Sequence, residues 1–153
     1  MNGVKTSLMR LNAWYRIFRI ALHADFPSIQ SMDKTVLIAD DSASMRLSVR
    51  MLLEGRHTEL RVREAIDGVD AIEKAKTLRP NLILLDLAMP RLNGIEAATV
   101  LKNAMPGTPV ILFTMYADML SETLCKAIGV VCVSKTDGIS KLIERVDALL
   151  PPA

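Results

Sequence analysis

Five side chains with chemistry to offer stand at the ends of apolar runs. Asp40 and Asp41 follow Thr35–Ala39, Asp86 ends Leu82–Asp86, Thr114 ends Val110–Thr114, and Lys135 follows Val130–Ser134. Three carboxylates, a hydroxyl and an amine can together hold a divalent cation and a phosphoryl group. Mg²⁺ takes about six hard oxygen ligands, keeps several waters, and is satisfied by one or two carboxylates plus a phosphate oxygen. Asp41 and Asp86 are the candidate carboxylate ligands, Asp40 adds charge or a water-bridged contact, and the backbone carbonyl of Ala88 is a further ligand. Crowded carboxylates without a cation repel, which pushes one of them toward protonation. Asp86 is then a carboxylate nucleophile, with Thr114 as hydroxyl donor or acceptor and Lys135 as a point charge. Taken singly, each residue has a plainer reading. Asp40-Asp41 would cap a helix starting near Ser42, Thr114 would be a strand-end hydroxyl, and Lys135 a solvated amine. Capping does not explain the whole set.

These residues need a frame that brings strand ends together. The apolar runs Thr35–Ala39, Leu60–Ile66, Leu82–Asp86, Val110–Thr114 and Val130–Ser134 read as strands. Leu82–Leu85 lacks polar alternation, as in a strand buried on both faces. Leu60–Ile66 alternates in part, with Arg61 and Arg63 outward, and suits a sheet edge. Between the strands lie helical patterns at Ser44–Leu53, Gly68–Leu78, Ile95–Asn103, Asp118–Ala127 and Ile139–Leu149. Asp67-Gly68 opens the second, Pro80 follows its end, and Pro106, Gly107 and Pro109 punctuate the third. Five βα units in succession imply an α/β fold: a doubly wound parallel sheet with right-handed crossovers and helices on both faces. In such sheets the ligand crevice lies at the carboxyl ends of the strands.

At 153 residues the chain has the length of one domain with a full core. Half of the residues are hydrophobic, which argues against disorder, and aromatics are 4%, which makes the core aliphatic. The net charge of +2 is uneven. Residues 1–31 carry Lys5, Arg10, Arg16 and Arg19 against Asp25, while the remainder has 15 basic and 16 acidic residues. Direct nucleic-acid binding is therefore not expected. Residues 1–31 place Leu8, Leu11, Trp14, Tyr15, Phe18 and Leu22 on one helical face. Arginines interrupt that segment, so it is neither a spanning helix nor a signal peptide. Three readings stay open: an extension upstream of a natural start at Met32, a helix packed on the domain, or a basic amphipathic helix that contacts a membrane or partner. The division is an N-terminal extension, 1–31, and a main domain, 32–153. Cys125 and Cys132 lack zinc-ligand spacing and read as two buried, reduced thiols in a reducing cytosol.

The motifs Val36-Leu37-Ile38-Ala39-Asp40-Asp41-Ser42, Asp86-Leu87-Ala88-Met89-Pro90-Arg91-Leu92-Asn93-Gly94-Ile95-Glu96, Phe113-Thr114 and Ser134-Lys135 resemble the receiver domain of bacterial two-component response regulators, of the single-domain CheY-like kind. The resemblance runs from about Lys34 to Leu150. It implies a flavodoxin-like sheet of strand order 2-1-3-4-5. It implies that Asp86 accepts a phosphoryl group from a histidine kinase or a histidine phosphotransfer protein. Asp40 and Asp41 would bind Mg²⁺, Thr114 would shift toward the phosphoryl group, and Lys135 would contact it. The fourth helix, fifth strand and fifth helix would carry the response to a downstream protein, and self-association would use the same face. This is a two-state element biased by a new charge.

The chain departs from that family's pattern in places. Cys132 stands where an aromatic switch residue is common, Thr136 where a Pro commonly follows the Lys, and Met115 where the residue after the Thr is small. Ala88 and Tyr116 occupy positions that tune dephosphorylation, and neither orients a water, so slow self-hydrolysis is expected. With the sequence ending at Ala153, soon after the last helix, the expectation is a stand-alone cytoplasmic switch, not an enzyme, whose output passes through a partner. A relay intermediate that returns the phosphoryl group to a His is a second reading, and a phosphorylation-independent interaction domain a third. A phosphohydrolase with an Asp nucleophile needs an acid two residues further on, where this chain has Ala88.

Overall fold

The computed structural model describes residues 33–150; the expectations for residues 1–31 and Met32 fall outside them. Strand β1 (Lys34–Ala39) leads to α1 (Ala43–Arg56), then β2 (Leu60–Ala65) and α2 (Gly68–Leu78). Strand β3 (Leu82–Leu85) precedes α3 (Gly94–Ala104), β4 (Val110–Thr114) precedes α4 (Glu122–Ile128), and β5 (Val131–Ser134) precedes α5 (Ile139–Leu149). All strand pairs are parallel and the order is β2-β1-β3-β4-β5. That is the expected doubly wound order, with the connection reversing between β1 and β3.

Period-two alternation divides the aliphatic core between two layers. Val36 and Ile38 of β1, Leu82 and Leu84 of β3, and Ile111 and Phe113 of β4 pack with Val49 and Leu53 of α1 and Leu142 and Val146 of α5. The intervening Leu37, Ile83, Leu85, Val110 and Leu112 pack with Ala71 and Ala75 of α2, Ala97, Ala98 and Leu101 of α3, and Cys125 of α4. β2 is an edge strand as its alternation predicts, with Arg61 and Arg63 exposed. Such charges discourage pairing with another chain.

Two expectations are corrected. The run Asp118–Ala127 is not one helix. A 3-10 turn at Ala117–Met119 is followed by extended Leu120, and Ser121 caps a new seven-residue helix through the Leu124 N–H. The hydroxyl offers the backbone an alternative to a continuous helix at that point. The cysteines are not reduced: Cys125 of α4 and Cys132 of β5 form a disulfide, with Cα atoms 6.4 Å apart. The turn at Gly129 (φ +77) folds the strand back beneath the helix, so residues seven apart face one another. Neither CxxC nor zinc spacing signals this; only the helix–Gly–strand turn does.

Candidate functional site

The β1 and β3 ends bring the acids together. Asp40 and Asp86 are buried, Asp41 is exposed, and one carboxylate oxygen from each lies within 4.8 Å of the others. The plainer reading of the acid pair as a helix cap does not hold: the cap of α1 is Ser42, whose hydroxyl accepts from the Met45 N–H. Asp40 is used otherwise. Its Oδ1 accepts the Ser42 N–H at 2.8 Å, and its Oδ2 meets Lys135 Nζ at 2.6 Å. Its carbonyl accepts Arg46 Nη1 at 2.7 Å, while Arg46 Nε donates to Glu64. Arg46 therefore braces the Asp40 backbone from α1, a role the sequence reading missed. Its spacing of six from Asp40, on the first turns of the helix, was the available signal.

Asp86 follows β3, and its Oδ1 accepts the Leu87 N–H at 2.8 Å. Lys135 Nζ is 3.4 Å from the same oxygen, so one buried ammonium serves both Asp40 and Asp86. Lys135 opens a 3-10 turn, Lys135–Asp137, and its Nζ lies 5.8 Å from the Phe113 ring centroid. Burial raises the Asp86 carboxyl above the ordinary range. Lys135 opposes the shift, Asp40 adds to it, and the Thr114 hydroxyl and Leu87 N–H oppose it. Thr114 is fully buried at the β4 end, and its Oγ1 accepts the Tyr116 N–H at 3.2 Å. The Tyr116 and Met115 side chains are both largely exposed.

The loop after Asp86 explains its string of residues. Asn93 and Glu96 form a reciprocal capping box that starts α3. A Cβ on Gly94 would strike the Asp86 carbonyl oxygen, so only glycine lets the helix start this close to β3. A Cβ on Gly68 would likewise strike the Leu92 carbonyl oxygen. Asp67 caps α2 through the Asp70 N–H and accepts Arg91 Nε at 2.6 Å. Met89 is buried in the core. The Asp86 loop is thus fastened to α2, α3 and the core.

The departures from the family pattern have local accounts. The Thr136 N–H, which proline would lack, donates to Ser134 Oγ at 3.2 Å. Cys132 is held in the disulfide and is not a rotatable switch side chain. Ala88 is exposed beyond Asp86, where its carbonyl remains a candidate ligand. The donors fit Mg²⁺: three hard carboxylates within one small span, two of them buried.

Residues 36–147 match the model of the response regulator receiver domain. A protein-glutamate methylesterase/protein-glutamine glutaminase of Methanosarcina acetivorans is 38% identical over 78 residues, which are 51% of this chain and 22% of that one. A putative transcriptional regulator of Pseudomonas aeruginosa is 34% identical over 116 residues, 75% of this chain and 56% of its own length. The chain therefore spans little more than half of the one relative and less than a quarter of the other. Among solved structures, the response regulator domain of Thermotoga maritima CheB superposes with a TM-score of 0.68 at 28% identity, covering 76% of this chain and 95% of that domain. T. maritima TrrA, solved with Mg²⁺ and BeF, gives 0.69 at 26% identity, covering 76% and 99%.

Proposed function

The chain belongs to the response regulator receiver family, and from that premise we propose that it is a stand-alone phosphoacceptor switch with Asp86 as the accepting residue. The observation that carries this reading is the single Lys135 ammonium shared by Asp40 and Asp86 beside Asp41 and Thr114. It supports this reading because the residues proposed as nucleophile, cation ligands and charge for the phosphoryl oxygens lie side by side. Asp86 attacks the phosphorus of a phosphohistidine. An acyl–phosphate bond forms, the P–N bond breaks, and the imidazole leaves to be protonated by solvent. Asp40, Asp41, Asp86 and the Ala88 carbonyl would hold Mg²⁺, which when bound offsets charge on the phosphoryl oxygens. Lys135 turns from the carboxylates toward the phosphoryl group, and Thr114 donates its hydroxyl to it.

In this reading a histidine kinase or histidine phosphotransfer protein supplies the phosphoryl group. The outputs are protein contacts made through α4, β5 and α5, including contacts with a second copy. The receiver domain comprises residues 32–153, works in the cytoplasm, and is a switch without turnover of its own. The methylesterase activity named for the Methanosarcina acetivorans relative belongs to a protein of which this chain matches 22%. Among the described residues no helix is long and apolar enough to cross a membrane.

The test is intact mass after incubation with Mg²⁺ and acetyl phosphate, comparing proteins that start at Met1 and Met32. One added phosphoryl group, absent in Asp86→Asn, is expected in both. The acyl phosphate should decay slowly, since neither Ala88 nor Tyr116 offers an acid or amide to orient a water. No added mass in either protein would sink the reading.

A further inference from the structure

Helix α4 is attached to the domain in an unusual way. It is seven residues long, too short to persist alone in water. Its only buried residue is Cys125, whereas α3 buries four residues and α1 and α5 two each. Its one covalent tie to the sheet is therefore also its one buried anchor. The tie reaches β5 at Cys132, which pairs in register with Leu112, while the next residues on the same face, Ser134 and Thr114, pair with each other. Cys132 is thus the diagonal neighbour of Thr114 on the face that α4 covers. Both cysteines line a groove of about 540 Å³ bordered by Leu120, Lys126 and Arg145. The groove also holds Asp118, Glu122 and Asp137, and Lys126 is paired with Glu122, so what it offers a small thiol is access and not a positive field.

We propose that Cys125–Cys132 is a reversible thiol–disulfide site, open to a low-molecular-weight thiol through this groove, whose oxidation tethers α4 to β5 and whose reduction releases it. A thiolate attacks the sulfur of Cys132, the more exposed of the two residues. A mixed disulfide forms, and the Cys125 sulfur leaves as a thiolate and takes a proton. A second thiol displaces Cys132, so two thiols become one disulfide and the protein gains two electrons and two protons. The reverse runs with the same disulfide as oxidant. With Cys125 buried and Cys132 half-buried, a thiol reaches this disulfide through the groove at Cys132, and disulfides found in reducing compartments are commonly transient and redox-sensing. The inference extends the proposed function by adding a redox input to the switch face, but the exchange itself does not depend on Asp86.

The full chain is equilibrated with reduced and oxidised glutathione at graded ratios without denaturant, alkylated and weighed. Both cysteines are expected to open and close as a pair while the domain stays folded. Hydrogen exchange is then followed by mass spectrometry. Amides of Glu122–Ile128 should exchange roughly tenfold faster or more in the reduced form, and those of Gly94–Ala104 should not change. The Cys125→Ser/Cys132→Ser protein should match the reduced form whatever the ratio. A disulfide that resists glutathione until the protein unfolds would overturn the proposal, as would equal α4 exchange in both forms. The same samples are treated with acetyl phosphate and Mg²⁺. Failure to phosphorylate in either redox form would remove the signalling role of Asp86, and the glutathione titration would still decide the thiol–disulfide site.

Discussion

The two sides of the Asp86 pocket are built differently. On the β3 side the backbone is fixed three times over. Gly94 lies against the Asp86 carbonyl, the Asn93/Glu96 box starts α3, and Arg91 is bonded to the Asp67 cap of α2. On the β4 side Thr114 is buried, but Met115, Tyr116, Met119 and Leu124 beyond it are exposed, and α4 buries one cysteine. A nucleophile must be held to a fraction of an ångström, whereas a reporter must have somewhere to move. In the proposed function, tight packing beside Asp86 serves the first requirement and sparse packing beside Thr114 the second.

The sharpest way to break the contrast is on the tight side. Gly94→Ala should destabilise the fold by about 3 kcal/mol and abolish phosphorylation. Gly107→Ala, where a Cβ would meet nothing within 4 Å, should stay within about 0.5 kcal/mol; denaturant melts compare them. On the loose side, opening the disulfide should cost about 2.5 kcal/mol, because the closed loop is short. Similar losses for reduced wild type and the double serine variant would establish it. Lys135→Ala leaves Asp40 and Asp86 facing without their shared ammonium. A loss of about 2 kcal/mol is expected without Mg²⁺ and should shrink when Mg²⁺ is added. Phosphorylation should persist with a weaker response in α4 exchange, and an unchanged response would show that Lys135 takes no part in coupling.

The smallest effects separate two buried carboxylates of the tight side by sign. The Asp70 N–H, then Arg91, hold the Asp67 carboxyl below the ordinary range despite its burial. Its stabilising contribution is present above the unfolded-state pKa and is lost as pH falls through the lowered folded value. Asp86 is shifted the other way by burial. Its ionised form opposes folding above the raised value, and that cost is relieved as pH falls toward the unfolded one. Without Mg²⁺ at neutral pH, Asp67→Asn should therefore be less stable than wild type and Asp86→Asn more stable. Both differences should fade in acid. Urea melts across the acid range would show a common sign if the contrast were wrong.

Much of this was legible in the residues. The apolar runs matched all five strands to within one residue at each end, and the acids, Thr114 and Lys135 meet at the strand ends as their order implied. What escaped were facts of three-dimensional approach. That Gly94 is required by the Asp86 carbonyl, and that Arg46 reaches back to Asp40, follow from distances that no periodicity encodes. The break at Leu120-Ser121 was hidden because Asp118–Ala127 has an unbroken helical pattern, and a single hydroxyl decided the cap. The disulfide was misread because cysteines seven apart meet only once the Gly129 turn has folded β5 under α4.

The aliphatic core has an optical consequence. Between residues 33 and 150 the aromatic side chains are Phe113 and Tyr116 alone. Phe113 is buried one residue before Thr114, and the Tyr116 ring stands in solvent while its own N–H is bonded to the Thr114 hydroxyl. The folded body of the domain is thus nearly dark in the near ultraviolet. Its one phenol is carried by the residue whose backbone N–H is bonded to the Thr114 hydroxyl, so in a protein starting at Met32 tyrosine emission is a native lamp set where a change of state would first be seen.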